Sequence, residues 1–425
     1  MNEIKKPNLY LITDGFPFGH GESFIEPELQ YLSNTFKVTI ISSSNSPVVF
    51  RDENSQIDVI NYDSSLNRTR SFFRYFAYII RLMPYFFSKE GVSEVFEILK
   101  ERKQIVKRLV LSFVFFLNSQ YFHMWIKKEG LISQDTSGIV YFYWNNCKVL
   151  SIARRKAKYP YLKIISRLHG YDLYKERRPD GRQPFKKFMD ILLDRVVFVS
   201  AYGMNYYLKT YQIPMDDRHI LSRLGTTNNY GVGPYIKTHI LDLVSCSNVV
   251  SLKRIHLIIE ALSLVNELEI HWQHFGDGAE MSVIKKYAKE KLISKSNIRY
   301  TFHGAINNQD LLEFYSLNKV DCFITTSATE GGNPVSIMEA LSFGIPIIAS
   351  SVGGITEMIA DSDNFLLSSN PTPDEIMNSI VNLSNLDNKK VIKLRNECRL
   401  MWEENYRASI NCKKFVDMLI DVLAS

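Results

Sequence analysis

The sequence predicts an α/β protein with two domains, each built on a parallel sheet. Its 425 residues are enough for two hydrophobic cores. In both halves, short apolar runs alternate with glycine-containing loops and helix-like segments. This alternation is interrupted at residues 226–238 (TTNNYGVGPYIKT), which have a linker composition, and it resumes after them. We therefore predict domains at 1–226 and 227–400, followed by a C-terminal segment at 401–425.

The first half begins with a predicted strand at Asn8–Asp14, followed by a loop containing Gly15, Gly19 and Gly21. A glycine loop at a strand end is a common ligand position in α/β sheets, and a ligand-free tight turn is an equal alternative. Further strands are predicted at Val38–Ser42, Gly138–Trp144, Lys163–Leu168 and Val196–Ser200.

His169 follows one of these strands directly and precedes a glycine. This position at a strand end favours a site role over a purely structural one. The polar residues that come next either bind a polar acceptor or form solvated surface: Asp172, Arg177, Arg178 and Arg182.

Positive charge is concentrated in residues 68–128. This segment has twelve Lys and Arg against four Glu, an excess of eight, whereas the whole chain has +6. Its aromatic and apolar residues recur at helical spacing. Leu109–Ile126 is 18 residues long and has no Lys, Arg, Asp or Glu, but its Asn, Ser, Gln and His residues argue against a membrane span. We predict helices that lie on an anionic membrane surface; the alternative is core helices with solvated basic faces.

The second half has predicted strands at Leu241–Ser245, Ile270–Phe275 and Asn297–His303. Lys253 and Arg254 precede a helix, where cations, backbone amides and the helix dipole together suit a phosphate. The stretch with the most candidate site residues is 320–359. It reads as strand, loop with Glu330, helix with Glu339, strand and a second glycine turn. The last segment, 399–425, is predicted to be one amphipathic helix with Trp402 and Phe415 on its apolar side.

The five cysteines are scattered, which fits a reducing compartment and not a disulfide framework. The apolar run at Leu9–Ile12 is too short for a signal peptide. These features predict a cytoplasmic protein, peripheral on the inner face of the cytoplasmic membrane. Nothing in the sequence indicates a nucleic-acid partner.

Four segments resemble the family-4 retaining glycosyltransferases: EGGNPVSIMEALSFGIPIIASSVGG (330–354), HFGDG (274–278), LKRIHLIIEAL (252–262) and HGYDLY (169–174). They occur in both halves and in order. The resemblance implies the GT-B fold, in which two Rossmann-like doubly wound domains face each other across a cleft and a C-terminal helix returns to the N-terminal domain.

The resemblance also assigns roles to individual residues. Glu339 matches the glutamate that binds the ribose, and Glu330 the one beside the donor sugar. Lys253 matches the lysine that neutralises the diphosphate, and His169 the histidine near the reacting carbon. The remaining matches are expected to contact the donor: Gly15, Gly19, Gly21, Asn248, Arg254, Gly276, Gly304, Ala305, Ile306, Gly331, Gly332, Asn333, Pro334 and Val335.

Two positions depart from the family pattern. The two glutamates stand one residue further apart than usual, so either the loop is longer or Gly331 takes the first position. Asn248 stands where the family often has arginine, and Arg254 is a candidate to compensate.

The activity implied is transfer of a sugar from a nucleoside-diphosphate sugar, as co-substrate, to a hydroxyl of a lipid-linked saccharide in cell-surface polysaccharide synthesis. No cofactor and no metal are expected, because no Asp, Glu or His cluster has metal-ligand spacing. The alternatives are a sugar-nucleotide epimerase or phosphorylase of the same fold, and a non-catalytic membrane-bound scaffold.

Overall fold

The protein consists of two compact units, seen in a computed structural model that describes residues 6–18, 22–43, 57–62, 87–359 and 364–425. Unit 1 comprises Met1–Val199, Gly203–Ser222 and Cys412–Ser425. Unit 2 comprises Ser200–Tyr202 and Arg223–Asn411. The chain changes unit at Ser222, and residues 227–239 contain no helix or strand before unit 2's first strand begins.

Unit 1 is built on a seven-stranded parallel sheet of order β3-β2-β1-β4-β5-β6-β7. The strands are β1 (Asn8–Ile12), β2 (Lys37–Ser42), β3 (Asp58–Asn61), β4 (Gly138–Phe142), β5 (Leu162–Leu168), β6 (Arg195–Phe198) and β7 (His219–Leu221). Its described helices are α1 (Glu26–Thr35), α2 (Lys89–Glu101), α3 (Ile105–Lys128), α4 (Cys147–Ala153), α5 (Gly170–Leu173), α6 (Lys186–Leu192) and α7 (Ala201–Tyr211), the last from Gly203 onward.

Both faces of this sheet are covered. The central strand β4 is buried at all five positions, as expected for an apolar run in a parallel sheet. One face packs against Phe116, Phe122 and Trp125 of α3 and against α4 and α6. The other packs against α1 and the C-terminal residues Phe415, Val416, Leu419 and Val422.

Unit 2 is built on a six-stranded parallel sheet of order β10-β9-β8-β11-β12-β13. The strands are β8 (Ile240–Cys246), β9 (Glu269–Phe275), β10 (Ile298–Gly304), β11 (Cys322–Thr325), β12 (Ile347–Ser350) and β13 (Phe365–Leu367). The helices are α8 (Ile255–Leu264), α9 (Met281–Leu292), α10 (Asn308–Leu317), α11 (Val335–Ser342), α12 (Ile355–Ile359), α13 (Pro373–Ser384), α14 (Asn388–Asn405) and α15 (Ala408–Ala424), which belongs to unit 1 from Cys412. The predicted α/β class with two parallel sheets is confirmed.

The prediction of one C-terminal helix over 399–425 is wrong. The helix is interrupted between α14 and α15, where Thr226 and Arg407 form an isolated β-bridge. Trp402 and Tyr406 belong to the unit 2 core, whereas Phe415 belongs to a unit 1 core. Only α15 returns to the N-terminal domain, and Trp402 is not part of the returning helix.

The helices at 87–128 differ in part from the prediction; residues 68–86 lie outside the described residues. α3 is the one described helix that is long and apolar enough to cross a membrane, but half of its apolar window is buried within the protein. Its aromatic side chains Phe116, Phe122 and Trp125 face the core of unit 1 and not the outside. These aromatic residues of α3 therefore fit the alternative of a core helix, and contact of this segment with a membrane stays a prediction.

Candidate functional site

The predicted donor-binding residues of unit 2 gather at the carboxyl edge of its sheet. The chain runs outward from β8 to β9 and β10, and then returns to place β11 on the other side of β8. Such a reversal opens a crevice beyond the strand ends, where ligands of α/β proteins bind. Asn248 and Lys253 follow β8, and the loop at 330–335 follows β11, so they flank this reversal.

Lys253 and Glu330 are joined across the reversal. The ammonium Nζ of Lys253 contacts Oε1 of Glu330, and both side chains are largely buried. Lys253 closes a short 3₁₀ turn, Ser251–Lys253, that leads into α8. A cation at this position can interact with an anion together with the amides of the helix N-terminus.

Arg254 makes contacts within unit 2 that its sequence position does not predict. Its backbone is left-handed (φ 47°), and its guanidinium donates to the carbonyl oxygens of Thr326, Ser327 and Ser369 at 2.6, 2.8 and 3.1 Å. It also donates to the side chain of Asn370. These contacts occupy most of its donors, so Arg254 holds loops together; its compensation for Asn248 stays a prediction.

Glu339 is a buried carboxyl group on α11. The side-chain amide of Asn308, at the start of α10, donates to its Oε1 at 2.5 Å. Burial raises the pKa of Glu339 to about 7, and the Asn308 hydrogen bond opposes the rise. The thiol of Cys246, at the end of β8, has its pKa raised to about 12 by burial and by the charge of Glu339, while Lys253 acts in the opposite direction. Glu339 and Lys253 therefore lie near the same strand end.

Glycines allow the loops at this edge to pack closely. Gly353 has φ 54°, and a Cβ atom there would lie 2.0 Å from the carbonyl oxygen of Glu330. At Gly276 (φ 131°) it would lie 1.9 Å from the carbonyl oxygen of Ser247. Any side chain at either position would displace the loop that carries Glu330 or the one that carries Asn248.

The other predicted donor contacts lie along the same edge. Gly304 ends β10, and Ala305 and Ile306 follow it as exposed residues. Gly331 and Gly332 are half-buried, and Asn333 is buried, with its Nδ2 donating to the hydroxyl of Tyr406 at 2.8 Å. The remaining two, Pro334 and Val335, begin α11.

The predicted residues of unit 1 gather at the matching position of its own sheet, where β1 and β4 are neighbours. Gly15 follows β1; Gly19 and Gly21 lie outside the described residues. Glu22 connects the two strand ends. Its Oε2 accepts the backbone N–H groups of Gly15 and Phe16 at 2.8 and 2.6 Å, and its Oε1 accepts the indole N–H of Trp144 at 2.5 Å.

His169 stands at the end of β5 in an aromatic pocket. Its ring stacks on Tyr143 (centroids 4.8 Å apart) and lies 4.6 Å from Trp144 and 6.4 Å from Phe24. Burial lowers its pKa well below the usual value, and the charge of Arg167 lowers it further, so the imidazole is neutral. Among the described residues, neither ring nitrogen has a hydrogen-bond partner. A buried polar group without a partner suits contact with a ligand.

The backbone around His169 is held by Asp172. The carboxylate accepts the N–H of His169 at 2.7 Å and that of Asn145 at 2.6 Å. Beneath it, the ammonium of Lys186 donates to the carbonyl and side-chain oxygens of Asn145, and burial lowers the pKa of Lys186 to about 7. Asp172 is therefore a buried cap and not an acceptor ligand.

The arginines after His169 are likewise engaged within unit 1. Arg182 pairs with Glu94 and Glu101, and Arg178 pairs with Asp180. Of the two interpretations offered for this loop, solvated surface does not describe Arg182, whose side chain is largely covered in these pairs.

Sequence reasoning missed several residues of both sites. Glu22 stands just after the glycine loop, and a carboxylate there is a readable signal. Asn308 and Tyr406 are 31 and 73 residues from the groups they contact. No local pattern indicates such pairs. In the described part of the chain, no group of three or more His, Cys, Asp or Glu is arranged to hold a metal ion.

Comparison with known proteins shows which family and which folds the chain resembles. Residues 239–400 match the family described as Glycosyl transferases group 1. An uncharacterized glycosyltransferase of Methanocaldococcus jannaschii, MJ1178, is 23% identical over 265 residues, which is 61% of this chain and 67% of that protein.

Two solved structures are similar over nearly the whole chain. Alr3699/HepE of Anabaena, in complex with UDP and glucose, has a TM-score of 0.64 at 12% identity, covering 97% of this chain and 99% of that one. The lipopolysaccharide outer core galactosyltransferase WaaB has a TM-score of 0.63 at 14% identity, with the same coverage. At these identities the likeness shows the fold, whereas the family match lies within unit 2. Residues 239–400 therefore form a Glycosyl transferases group 1 domain, and the chain as a whole has the GT-B fold of these solved glycosyltransferases.

Proposed function

We propose that this protein transfers a sugar from a nucleoside-diphosphate sugar to a hydroxyl of a saccharide acceptor, with retention of the anomeric configuration. The observation that carries the proposal is the Lys253–Glu330 pair beside the buried carboxyl of Glu339, at one sheet edge of the group 1 domain. A cation, two carboxylates and glycine-lined loops suit a diphosphate, a ribose and a sugar.

The main barrier is breakage of the bond to the diphosphate, because negative charge develops on the departing phosphate. Lys253 and the N-terminus of α8 are the groups placed to stabilise this charge. His169 contributes differently: as a neutral ring with unsatisfied nitrogens, it can hydrogen-bond the donor sugar without adding a charge. UDP-glucose is the first donor to test, because HepE is similar in fold and was solved with UDP and glucose.

A thermal-shift screen of nucleotide sugars, followed by a transfer assay, tests the proposal. A specific donor raises the melting temperature by mass action. Lys253→Ala is expected to reduce transfer by ~10²–10³-fold. Lys285→Ala, which removes an exposed lysine of the same unit, is the matched control and should change nothing. Equal rates for the wild type and Lys253→Ala would rule out the assigned role.

The acceptor we propose is a lipid-linked saccharide at the cytoplasmic face of the membrane, in surface polysaccharide assembly. The positive excess of residues 68–128 supports a membrane location, and the likeness in fold to an outer core galactosyltransferase is consistent with the pathway. Proton NMR of the product on a synthetic lipid-linked acceptor tests both the acceptor and retention.

The two alternatives make different predictions. An epimerase forms product without an acceptor, and a phosphorylase requires inorganic phosphate as the second substrate. A scaffold retains its activity in cells when Lys253 or Glu339 is replaced by alanine.

We also expect transfer to need no metal ion. Loss of activity on chelation, restored by a divalent ion, would contradict that expectation.

A further inference from the structure

Helix α2 in unit 1 has its charged side inward and its apolar side outward. Its four carboxylates recur at the spacing of one helix face: Glu90, Glu94, Glu97 and Glu101. At about 100° per residue, the apolar residues Val92, Phe96 and Leu99 fall on the opposite face. This is the reverse of an ordinary surface helix, whose apolar stripe faces the core.

The inward face is held by ion pairs. Glu90 pairs with Arg154, Glu94 with Arg182 (2.9 Å) and Glu97 with Lys187 (3.1 Å). At the end of the helix, Glu101 pairs with Arg108 of α3 at 2.5 Å and with Arg182. Of the large apolar side chains of α2, only Ile98 is fully buried. The carboxylates therefore fix which face of α2 points outward.

The outward face is apolar and lies beside exposed cations. Val92, Phe96 and Leu99 are 53, 67 and 48% exposed. Two further exposed apolar side chains follow in the first turns of α3: Val106 (76% exposed) and Val110 (55% exposed). The basic residues along this stretch are also exposed: Lys89, Lys100, Arg102, Lys103 and Lys107. Every carboxylate of α2 is already paired with a cation of unit 1, so no unpaired negative charge of α2 offsets these cations.

We propose that this outward face of α2, with the first turns of α3, docks on an anionic lipid bilayer. Val92, Phe96 and Leu99 enter the interface between headgroups and acyl chains, and the lysines contact anionic headgroups. An apolar strip beside exposed cations matches that surface in both respects. The inference rests on the proposed transfer to a lipid-linked acceptor, and it narrows the sequence-based expectation, which covers residues 68–128, to α2 and the first turns of α3.

Co-sedimentation of the full chain with vesicles tests this surface. We expect binding to vesicles of phosphatidylglycerol and phosphatidylcholine, and at least tenfold weaker binding to phosphatidylcholine alone. The double variant Phe96→Ser/Leu99→Ser should bind the anionic vesicles at least tenfold more weakly, as should Lys100→Glu/Lys103→Glu. The matched controls in unit 2 are Val283→Ser/Ile293→Ser and Lys285→Glu/Lys289→Glu, which alter exposed residues of α9 and its C-terminal end. They should bind as the wild type does.

Three results would overturn the proposal. The first is vesicle binding that the α2 variants do not weaken. In the second, Phe96→Ser/Leu99→Ser lowers the melting temperature by several degrees, which would mean that the face is covered by another part of the chain. The third is light scattering that shows a dimer which this variant dissociates, since a second copy would then cover the face.

The same variants separate this proposal from the proposed function. A thermal shift with a nucleotide sugar reports the donor site in unit 2 without vesicles. If that shift is intact and the wild type fails to bind vesicles, the docking surface is wrong and the donor assignment stands. Suppose instead that the wild type binds vesicles, the α2 variants do not, and no nucleotide sugar raises the melting temperature of any of these proteins. The docking surface then stands and the proposed function is wrong.

Discussion

Glu330 makes an ion pair with the lysine proposed to bind the donor diphosphate. A nucleoside diphosphate must therefore compete with Glu330 for the ammonium group of Lys253. We expect Glu330→Gln to tighten binding of UDP severalfold, because a neutral amide is a weaker competitor than a carboxylate. Transfer should slow, because Glu330 also lies on the loop assigned to the donor sugar. Calorimetry gives the affinity and a transfer assay gives kcat.

The matched control for Glu330→Gln is Glu267→Gln, which neutralises an exposed carboxylate of the same unit. Weaker binding of UDP to Glu330→Gln would mean that Glu330 orients Lys253 for the phosphate and does not compete with it.

Burial gives Glu339 a pKa of about 7, above its usual 4.5. The folded state binds this proton more tightly than the unfolded chain. The stabilisation that comes from this tighter proton binding at Glu339 is therefore complete below about pH 4.5, and it is lost as the pH rises through 7. A carboxylate accepts the hydroxyl hydrogen bonds of a ribose better when ionised. We therefore expect the Kd of a nucleotide sugar to rise by up to about tenfold from pH 8 to pH 6.

Titration calorimetry with a nucleotide sugar measures this effect cleanly, because neither of its phosphates titrates near neutral pH. The variant Glu339→Gln removes the ionisable group and should give a flat profile over the same range. A wild-type profile as flat as that of the variant would show that Glu339 does not contact the nucleotide.

Sequence reasoning located the residues whose role depends on their local position. Lys253 was predicted from two cations before a helix, and the structure places it at that helix entry beside Glu330. Arg254 shares the signal but turns inward, because its left-handed backbone directs the guanidinium toward loop carbonyl groups. That difference depends on loops 72 or more residues away, which no local pattern contains.

At the scale of elements, α2 should depend on its inward carboxylates. Glu94 accepts hydrogen bonds from Arg182 (2.9 Å), Ser112 (3.2 Å) and the backbone of Phe185 (3.0 Å). Replacing it with alanine leaves the largely buried guanidinium of Arg182 with only the partly exposed Glu101 as a carboxylate partner, and removes the acceptor of Ser112 and Phe185. We expect Glu94→Ala to lower the free energy of unfolding by about 3–5 kcal/mol. Denaturant unfolding measures the change.

The control lies one turn further along the same helix. Glu97 pairs with Lys187, and both side chains are about a third exposed. We expect Glu97→Ala to cost at most about 1 kcal/mol. Equal effects of the two variants would show that α2 is not held by its buried pair.

The orientation of α2 could not be predicted from sequence. Its charged and apolar residues both have helical periodicity, so the pattern gives the two faces but not which one points inward. Arg154, Arg182 and Lys187 decide it, and they lie 53 to 86 residues further along the chain than α2's last residue, Glu101. Periodicity likewise predicted the aromatic helix α3 correctly, but assigned its aromatic residues to the outside.

At the scale of the whole molecule, repetition of strand, loop and helix was enough to predict two parallel sheets. It was not enough to predict where the chain crosses from one unit to the other. Residues 399–425 keep an apolar periodicity throughout, yet Trp402 and Tyr406 complete the core of unit 2 while Phe415 and Leu419 complete that of unit 1. The break at Arg407 depends on its pairing with Thr226, which is distant in sequence.

This return of the chain makes the first sheet depend on the last residues. Phe415, Val416, Leu419 and Val422 are buried against unit 1, and the ring of Phe415 lies 4.2 Å from the guanidinium of Arg167, itself paired with Glu28. At roughly 2 kcal/mol per buried side chain, removing Cys412–Ser425 should cost unit 1 several kcal/mol. Hydrogen exchange should therefore accelerate in β1, β4 and β5, and remain unchanged in β8 and β11 of unit 2. Exchange that accelerates equally in both sheets would show instead that the two units unfold as one.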